Sequence, residues 1–182
     1  CLYYFYSYIQ LLKIYGNKIN NNIVYVIPSG NCGNLVGGLI AKKMGLPIKH
    51  FIVGQNRNNT LVRYLEDFIY NPQDTIKTIS NAMDVGDPSN FKRIYFMYKD
   101  NLHQLKKDIK AVSINDDLTK EGIKDAYNKY DYIIDPHTSV GYNASKIFYE
   151  KDEIHVIVST SHPSKFGEKI EKILDIQLSP HN

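Results

Sequence analysis

An apolar run that stops at a polar, glycine-punctuated turn admits few topologies, and this chain has one at Val24-Tyr25-Val26-Ile27-Pro28-Ser29-Gly30-Asn31-Cys32-Gly33-Asn34. The apolar part predicts a strand from Ile23 to Ile27. Gly30 and Gly33 suit backbone angles that a side chain would forbid, which lets several amide N–H groups converge on one phosphate at the positive end of the next helix. That helix is predicted by the spacing of Leu35, Val36, Leu39, Ile40 and Met44, and it stops at Gly45 before Pro47. Gly37 and Gly38 weaken it by roughly 1 kcal/mol each relative to alanine, so they are expected to serve close packing against the sheet or a ligand. A second strand, Ile48 to Val53, closes a β-α-β unit and predicts a parallel sheet. Ligands of such sheets lie at the carboxyl ends of the strands, where this turn falls. G-x-G-x-x-G is absent and no G-K-[S/T] follows, so neither a dinucleotide fingerprint nor a nucleotide P-loop is indicated. The same residues would also serve a strand-to-helix turn without a ligand.

Further along, Leu61, Val62, Tyr64, Leu65 and Phe68 predict a short amphipathic helix capped by Asn59 or Thr60. Ser80 to Asn90 is rich in turn formers, and Pro88 is expected to begin the helix carrying Phe91, Ile94, Tyr95 and Tyr98. Helical patterns follow from Leu102 to Ile109 and from Thr119 to Tyr130, the latter with Thr119 as cap and Ile123, Ala126, Tyr127 and Tyr130 as its buried stripe. After Asp135-Pro136-His137-Thr138 a helix runs to Tyr149, and the strand Ile154 to Val158 ends in the hydroxyls of Ser159, Thr160 and Ser161. Clustered hydroxyls at a strand's carboxyl end suit a site that offers hydrogen bonds to a ligand.

The 182 residues, 43% of them apolar, suffice for one core and predict a single domain. A net charge of +3 is spread along the chain without a basic block, which argues against a nucleic-acid partner. Cys1 and Cys32 have no C-x-x-C and no neighbouring histidine pair, so neither a metal site nor a disulfide framework is indicated and a reducing cytoplasm fits. The aromatic run Leu2 to Ile9, continuing to Gly16, is too short for a membrane span and has no basic leader. It reads as a buried helix. With no initiator Met ahead of it, the chain reads as a portion of a longer protein.

Taken in order, PSGNCGN (28–34), KKMGLPIK (42–49), SNAMDVGDPSN (80–90), DPHTSVG (135–141) and TSHPSKF (160–166) closely resemble the carboxyl-terminal part of the threonine synthase family. The resemblance spans nearly the whole chain. It implies an α/β chain that is an incomplete part of the fold-type II, tryptophan synthase β-like fold of pyridoxal-phosphate enzymes, a parallel sheet with flanking helices. It also implies conversion of the small molecule O-phospho-L-homoserine, with water, to L-threonine and phosphate by γ-elimination and β-addition. Residues 1–182 would be a single cofactor-binding portion, with oligomeric state left open.

Carried over position by position, the family's phosphate loop falls on Gly30, Asn31, Cys32, Gly33 and Asn34, and the threonine that lies against the cofactor's ring nitrogen falls on Thr160. Asp84, Ser89, Asn90 and Arg93 fall in the family's substrate-side loop. The chain departs from the family at Cys32, Ser161 and Ser164, all small replacements. The Schiff-base lysine is the larger departure, because its S-F-K-D motif lies upstream in the family and has no counterpart here. Lys92, in Ser89-Asn90-Phe91-Lys92-Arg93, matches a different family segment and is not that lysine. The chain alone is therefore expected to be inactive, and its apolar faces to make it poorly soluble or molten. His137 and His162 remain candidate acids or bases, or turn residues that fix the backbone; Lys165 is a candidate anion contact or a solvated lysine at a helix start. Cys32, lacking a paired base, reads as packing. A serine or threonine dehydratase of the same fold type, or a non-catalytic cofactor-binding remnant, are the alternatives.

Overall fold

In the computed structural model, which describes residues 1–19 and 22–178, one four-stranded sheet organises the chain. Its strands are β1 (Ile23–Pro28), β2 (His50–Gln55), β3 (Ile109–Ser113) and β4 (Ile154–Ile157), in the order β3-β2-β1-β4 with every adjacent pair parallel. The helices are α1 (Leu2–Tyr15), α2 (Gly33–Lys43), α3 (Thr60–Asp67), α4 (Phe91–Tyr98), α5 (Leu102–Asp108), α6 (Asp116–Tyr130), α7 (Pro136–Ile147) and α8 (Gly167–Leu174). Single 3-10 turns occupy Gly16–Ile19, Asn81–Met83 and Pro163–Phe166.

Because side chains alternate along a strand, the two sheet faces can be read from residue parity. Tyr25, Ile27, Phe51 and Val53 join Tyr4 of α1, Leu35 and Leu39 of α2, and Leu105 of α5 in the larger core. Val24, Val26 and Ile52 face the other way, against Ala144 of α7. Both central strands are buried throughout, as a parallel sheet covered on two sides requires. Close helix-to-sheet packing explains Gly38, where a Cβ would lie 2.6 Å from the Phe51 ring and 2.9 Å from that of Tyr4. Gly37 faces only ordinary contacts.

Several local expectations shift. The first helix is not buried: only Tyr4 of α1 is, while Leu2 and Ile14 are 83% and 70% exposed. Its aromatic run is a docked helix with an apolar outer face. β2 begins at His50 rather than Ile48. The stretch after α5 continues as the edge strand β3, whose half-buried Lys110 and Ser113 masked its β character. Helix α4 starts at Phe91, three positions after Pro88, and α7 ends at Ile147. Asn59 is the N-cap residue of α3, yet the Gln55 side chain makes the capping bonds, accepting from the N–H groups of Leu61 (2.9 Å) and Val62 (3.2 Å). Helix α6 is capped by Asn115, whose Oδ1 accepts the Leu118 N–H at 2.9 Å, so Thr119 lies inside the helix and its hydroxyl donates to the Asn115 carbonyl. Ile123 and Ala126 are buried as the spacing predicts, but Tyr127 is half-buried and Tyr130 exposed, turned beyond the contact with α7. Among the described residues, no helix is long and apolar enough to cross a membrane.

Candidate functional site

At the end of β1, Ser29 sets the turn. Its N–H donates to the Gly54 carbonyl (2.9 Å) and its Oγ accepts the Cys32 N–H (3.0 Å), which folds the chain back before α2. The first bond of α2 is Val36 N–H to the Cys32 carbonyl, 3.0 Å. The N–H groups of Gly33, Asn34 and Leu35 therefore have no acceptor within the helix and stand at its positive end, a backbone arrangement able to cradle an anion. The left-handed backbone falls on Cys32 (φ 60°), the N-cap, and not on Gly30 or Gly33, neither of which has a positive φ. Gly30 is small for another reason: a Cβ there would lie 2.5 Å from the Met83 carbonyl oxygen. The expected glycine freedom is thus replaced by close approach of a second loop.

Cys32 is fully buried, and burial pushes its thiol up to about 12 despite the hydrogen bonding with Ser29. A thiol is reactive only as thiolate. Iodoacetamide at pH 8 should therefore label the exposed Cys1 in the folded chain and leave Cys32 untouched until denaturant is added, as read by peptide mass spectrometry. Labelling of both at equal rates would refute this burial.

Beside the cradle lies a cleft of about 620 Å³, bounded by Tyr3, Tyr6, Ser7, Tyr25, Asn34 and Thr160, among others. No aspartate, glutamate, lysine or arginine is among the described residues that line it. The Tyr25 phenol, pushed up by burial, donates to the Tyr4 carbonyl at 2.9 Å and lies 2.7 Å from the Ser7 hydroxyl. A neutral cleft walled by aromatic rings and hydroxyls, open to helix amides, suits a flat ring bearing a phosphate. Asn34 and Thr160, far apart in sequence, both line it. A larger opening of about 770 Å³ lies on another side of the same segment, against Ser161, His162, Ser164, Tyr127 and Tyr132.

The segment from Thr78 to Arg93 approaches the turn from outside the sheet. Ser89 donates to Asn31 Oδ1 at 3.0 Å, and Asn90 lies against Gly33 while its Oδ1 accepts from the Arg93 guanidinium. Asp84 is engaged elsewhere: its carboxylate accepts from Asn56 (2.8 Å), from Asn58 (3.3 Å) and from the hydroxyl (2.7 Å) and N–H (3.0 Å) of Thr78. Ser89, Asn90 and Arg93 thus gather beside the turn, and Asp84 pins their loop. Lys92 is exposed on α4. His137 is buried with both ring nitrogens engaged; His162 caps the Pro163–Phe166 turn, accepting the Ser164 N–H at 3.2 Å; Lys165 is exposed. Sequence reasoning missed Gln55, whose fully buried amide donates to the Ser29 carbonyl at 3.3 Å while capping α3. A polar residue ending the buried run Phe51-Ile52-Val53-Gly54 was the available signal.

No protein-family profile matches the chain. It is 40% identical over 176 residues to threonine synthase of Haemophilus influenzae, an alignment covering 97% of this chain and 40% of that protein. The crystal structure of threonine synthase from Escherichia coli superposes with a TM-score of 0.81 at 34% identity, covering 90% of this chain and 38% of that one. The chain is similar to one part of threonine synthase. The pyridoxal-phosphate-bound threonine synthase from Brucella melitensis agrees, with a TM-score of 0.87 at 25% identity over 98% of this chain and 42% of that one. The chain spans about 40% of the length of the threonine synthases it matches. A fungal L-serine ammonia-lyase from Rhizomucor miehei, 11% identical with a TM-score of 0.64, shares the fold alone. The architecture is therefore part of the α/β fold common to threonine synthase and its fold-type II neighbours.

Proposed function

We propose that this chain is the phosphate-holding part of a threonine synthase, which converts O-phospho-L-homoserine and water to L-threonine and phosphate with pyridoxal 5'-phosphate. One observation carries the reading: Asn34, whose N–H has no acceptor within α2, shares a neutral aromatic cleft with Thr160. This donor set fits the cofactor, since backbone N–H groups at a helix start bind a phosphate without a cationic side chain. In this reading the turn Gly30 to Asn34 holds the phosphate and Thr160 offers a neutral hydroxyl to the ring nitrogen. The bound cofactor supplies an electron sink for the substrate's reacting carbons. Tyr3, Tyr6 and Tyr25 wall the cleft. Ser89, Asn90 and Arg93 stand on the substrate side of the turn, and Asp84 holds their loop.

No lysine is among the described residues lining the cleft, so in this reading the Schiff-base lysine comes from the remainder of the enzyme and the chain alone is inactive. The reading calls for a small-molecule substrate, a cytoplasmic setting and no nucleic-acid or membrane partner. Residues 1–182 act in it as a single cofactor-binding portion.

Two experiments test it. Pyridoxal phosphate should bind the chain more tightly than pyridoxal, and inorganic phosphate should compete. A polypeptide extended to the full length of the relatives should release phosphate from O-phosphohomoserine, whereas the 182-residue chain should not. Release of ammonia from serine or threonine by the extended protein, without phosphate release, would favour a dehydratase. Cofactor binding with neither activity would favour a non-catalytic remnant.

A further inference from the structure

The sequence motifs around the site converge on one side chain that does not reach the cleft. His137 is 1% exposed, on the first turn of α7. Its Nε2 accepts the backbone N–H of Ala82 at 3.1 Å, which requires the proton to sit on Nδ1. That Nδ1–H points to Asp135 Oδ1 at 2.8 Å. Asp135 is itself fixed as the N-cap of α7, accepting the His137 N–H at 2.8 Å and the Thr138 hydroxyl. The ring packs on Phe166, with centroids 4.9 Å apart, and Thr138 Oγ1 lies 3.0 Å from Ser159 Oγ. The residue after Ala82 is Met83, whose backbone would meet a Cβ at Gly30 at 2.5–2.8 Å. One imidazole therefore ties the 80–90 loop to α7 and to the 160–166 segment, and the loop it holds is the wall behind the phosphate turn.

We infer that His137 is a positioning residue for the phosphate cradle, oriented by Asp135 and acting through the Asn81–Met83 turn on the backbone at Gly30. It gives no proton to substrate, because both nitrogens are committed and the ring is closed off from the cleft. Its contribution is geometric. With the Ala82 N–H anchored, Met83 stays pressed on Gly30 and the amides that follow keep one direction, which is the preorganisation that anion binding by backbone dipoles requires. The phosphate part of this inference rests on the functional reading above; the loop-anchoring part does not.

The test separates the two. His137→Phe keeps a ring against Phe166 but removes the acceptor, and His137→Gln restores an acceptor at a similar reach. Residue-resolved amide exchange on the 182-residue chain should show the Ala82 N–H of His137→Phe exchanging roughly tenfold faster, the order of one lost hydrogen bond, with faster exchange extending to the Gly33–Leu35 amides. The same variant should lose about tenfold in affinity for pyridoxal phosphate and little for pyridoxal, and His137→Gln should recover most of both losses. If His137→Phe does not fold, the isosteric Asp135→Asn should move both readouts in the same direction. Wild-type exchange at Ala82 together with unchanged phosphate preference would overturn the inference, as would a uniform rise in exchange with the preference intact. Failure of the wild-type chain to prefer pyridoxal phosphate would overturn the functional reading and the phosphate part with it, while exchange at Ala82 would still decide whether His137 anchors the loop.

Discussion

Replacing Gly30 with alanine should cost this chain about 1–3 kcal/mol of stability and most of its affinity for a phosphate ester, although alanine suits the backbone angle at that position. The obstacle is space. A Cβ at Gly30 would stand 2.5 Å from the Met83 carbonyl oxygen and 2.7 Å from its Cα, and both belong to backbone that cannot rotate aside. The Asn81–Met83 turn is held in place by His137 and the loop by Asp84, so relief has to come from moving the Gly30–Asn34 turn itself. That displacement redirects the amides of Gly33, Asn34 and Leu35. Gly33→Ala makes the contrasting case, since its Cβ would meet only Asn90 Nδ2 at 3.5 Å, an ordinary contact. Thermal unfolding should show Gly33→Ala near wild type and Gly30→Ala lower by several degrees, at roughly 2–4 °C per kcal/mol for a chain of this size. A Gly30→Ala protein with wild-type melting and wild-type phosphate affinity would show that Met83 yields readily.

The contrast between those glycines marks where sequence reasoning reaches its limit. The strand, turn and helix from Ile23 to Met44 were legible because apolar spacing and glycine placement are local signals. Which glycine bears the strain was not legible, since the left-handed residue proved to be Cys32 and the crowding at Gly30 comes from Met83, a contact between residues far apart in the chain. Strand β3 escaped for a related reason. An edge strand with a half-buried lysine has little hydrophobic contrast, and its parallel partner β2 lies more than fifty residues earlier. At the site, the sequence motifs marked Asn31, Asn34, Ser89 and Thr160, and the fold brings Ser89 to Asn31 and Thr160 to the cleft of Asn34. Gln55 and Tyr25 carried no motif of their own, because their importance arises from packing across the sheet.

Acid should weaken the fold at a pH where carboxylates are still ionised, and His50 is the reason. His50 opens β2, and both His50 and His155 pair in register with Val24, so these side chains share the sheet face covered by α7. Burial, and then the nearby Lys110 charge, lower His50 from 6.5 to about 4, against the opposing pull of Glu153, whose Oε1 lies 3.9 Å from Nδ1. The imidazole is thus neutral in the fold down to about pH 4, whereas the unfolded chain takes up its proton near 6.5. Between those values the unfolded state binds more protons, so stability falls as pH falls, by about 3 kcal/mol once both states are protonated. The buried carboxylates act lower. Burial raises both Glu153 and Asp135, but hydrogen bonds from Lys49 and His155 to the one, and from His137 and Thr138 to the other, outweigh it and leave each below its ordinary value. Their stabilisation is present above the ordinary carboxylate range and lost only as pH drops through their depressed values. Urea midpoints measured from pH 7.5 to pH 4 should therefore fall between 6.5 and 4.5 in the wild-type chain. In His50→Phe, which keeps a ring of similar size and cannot titrate, the fall in that interval should be much shallower. Equal slopes in the two proteins across that interval would assign the acid response to another group.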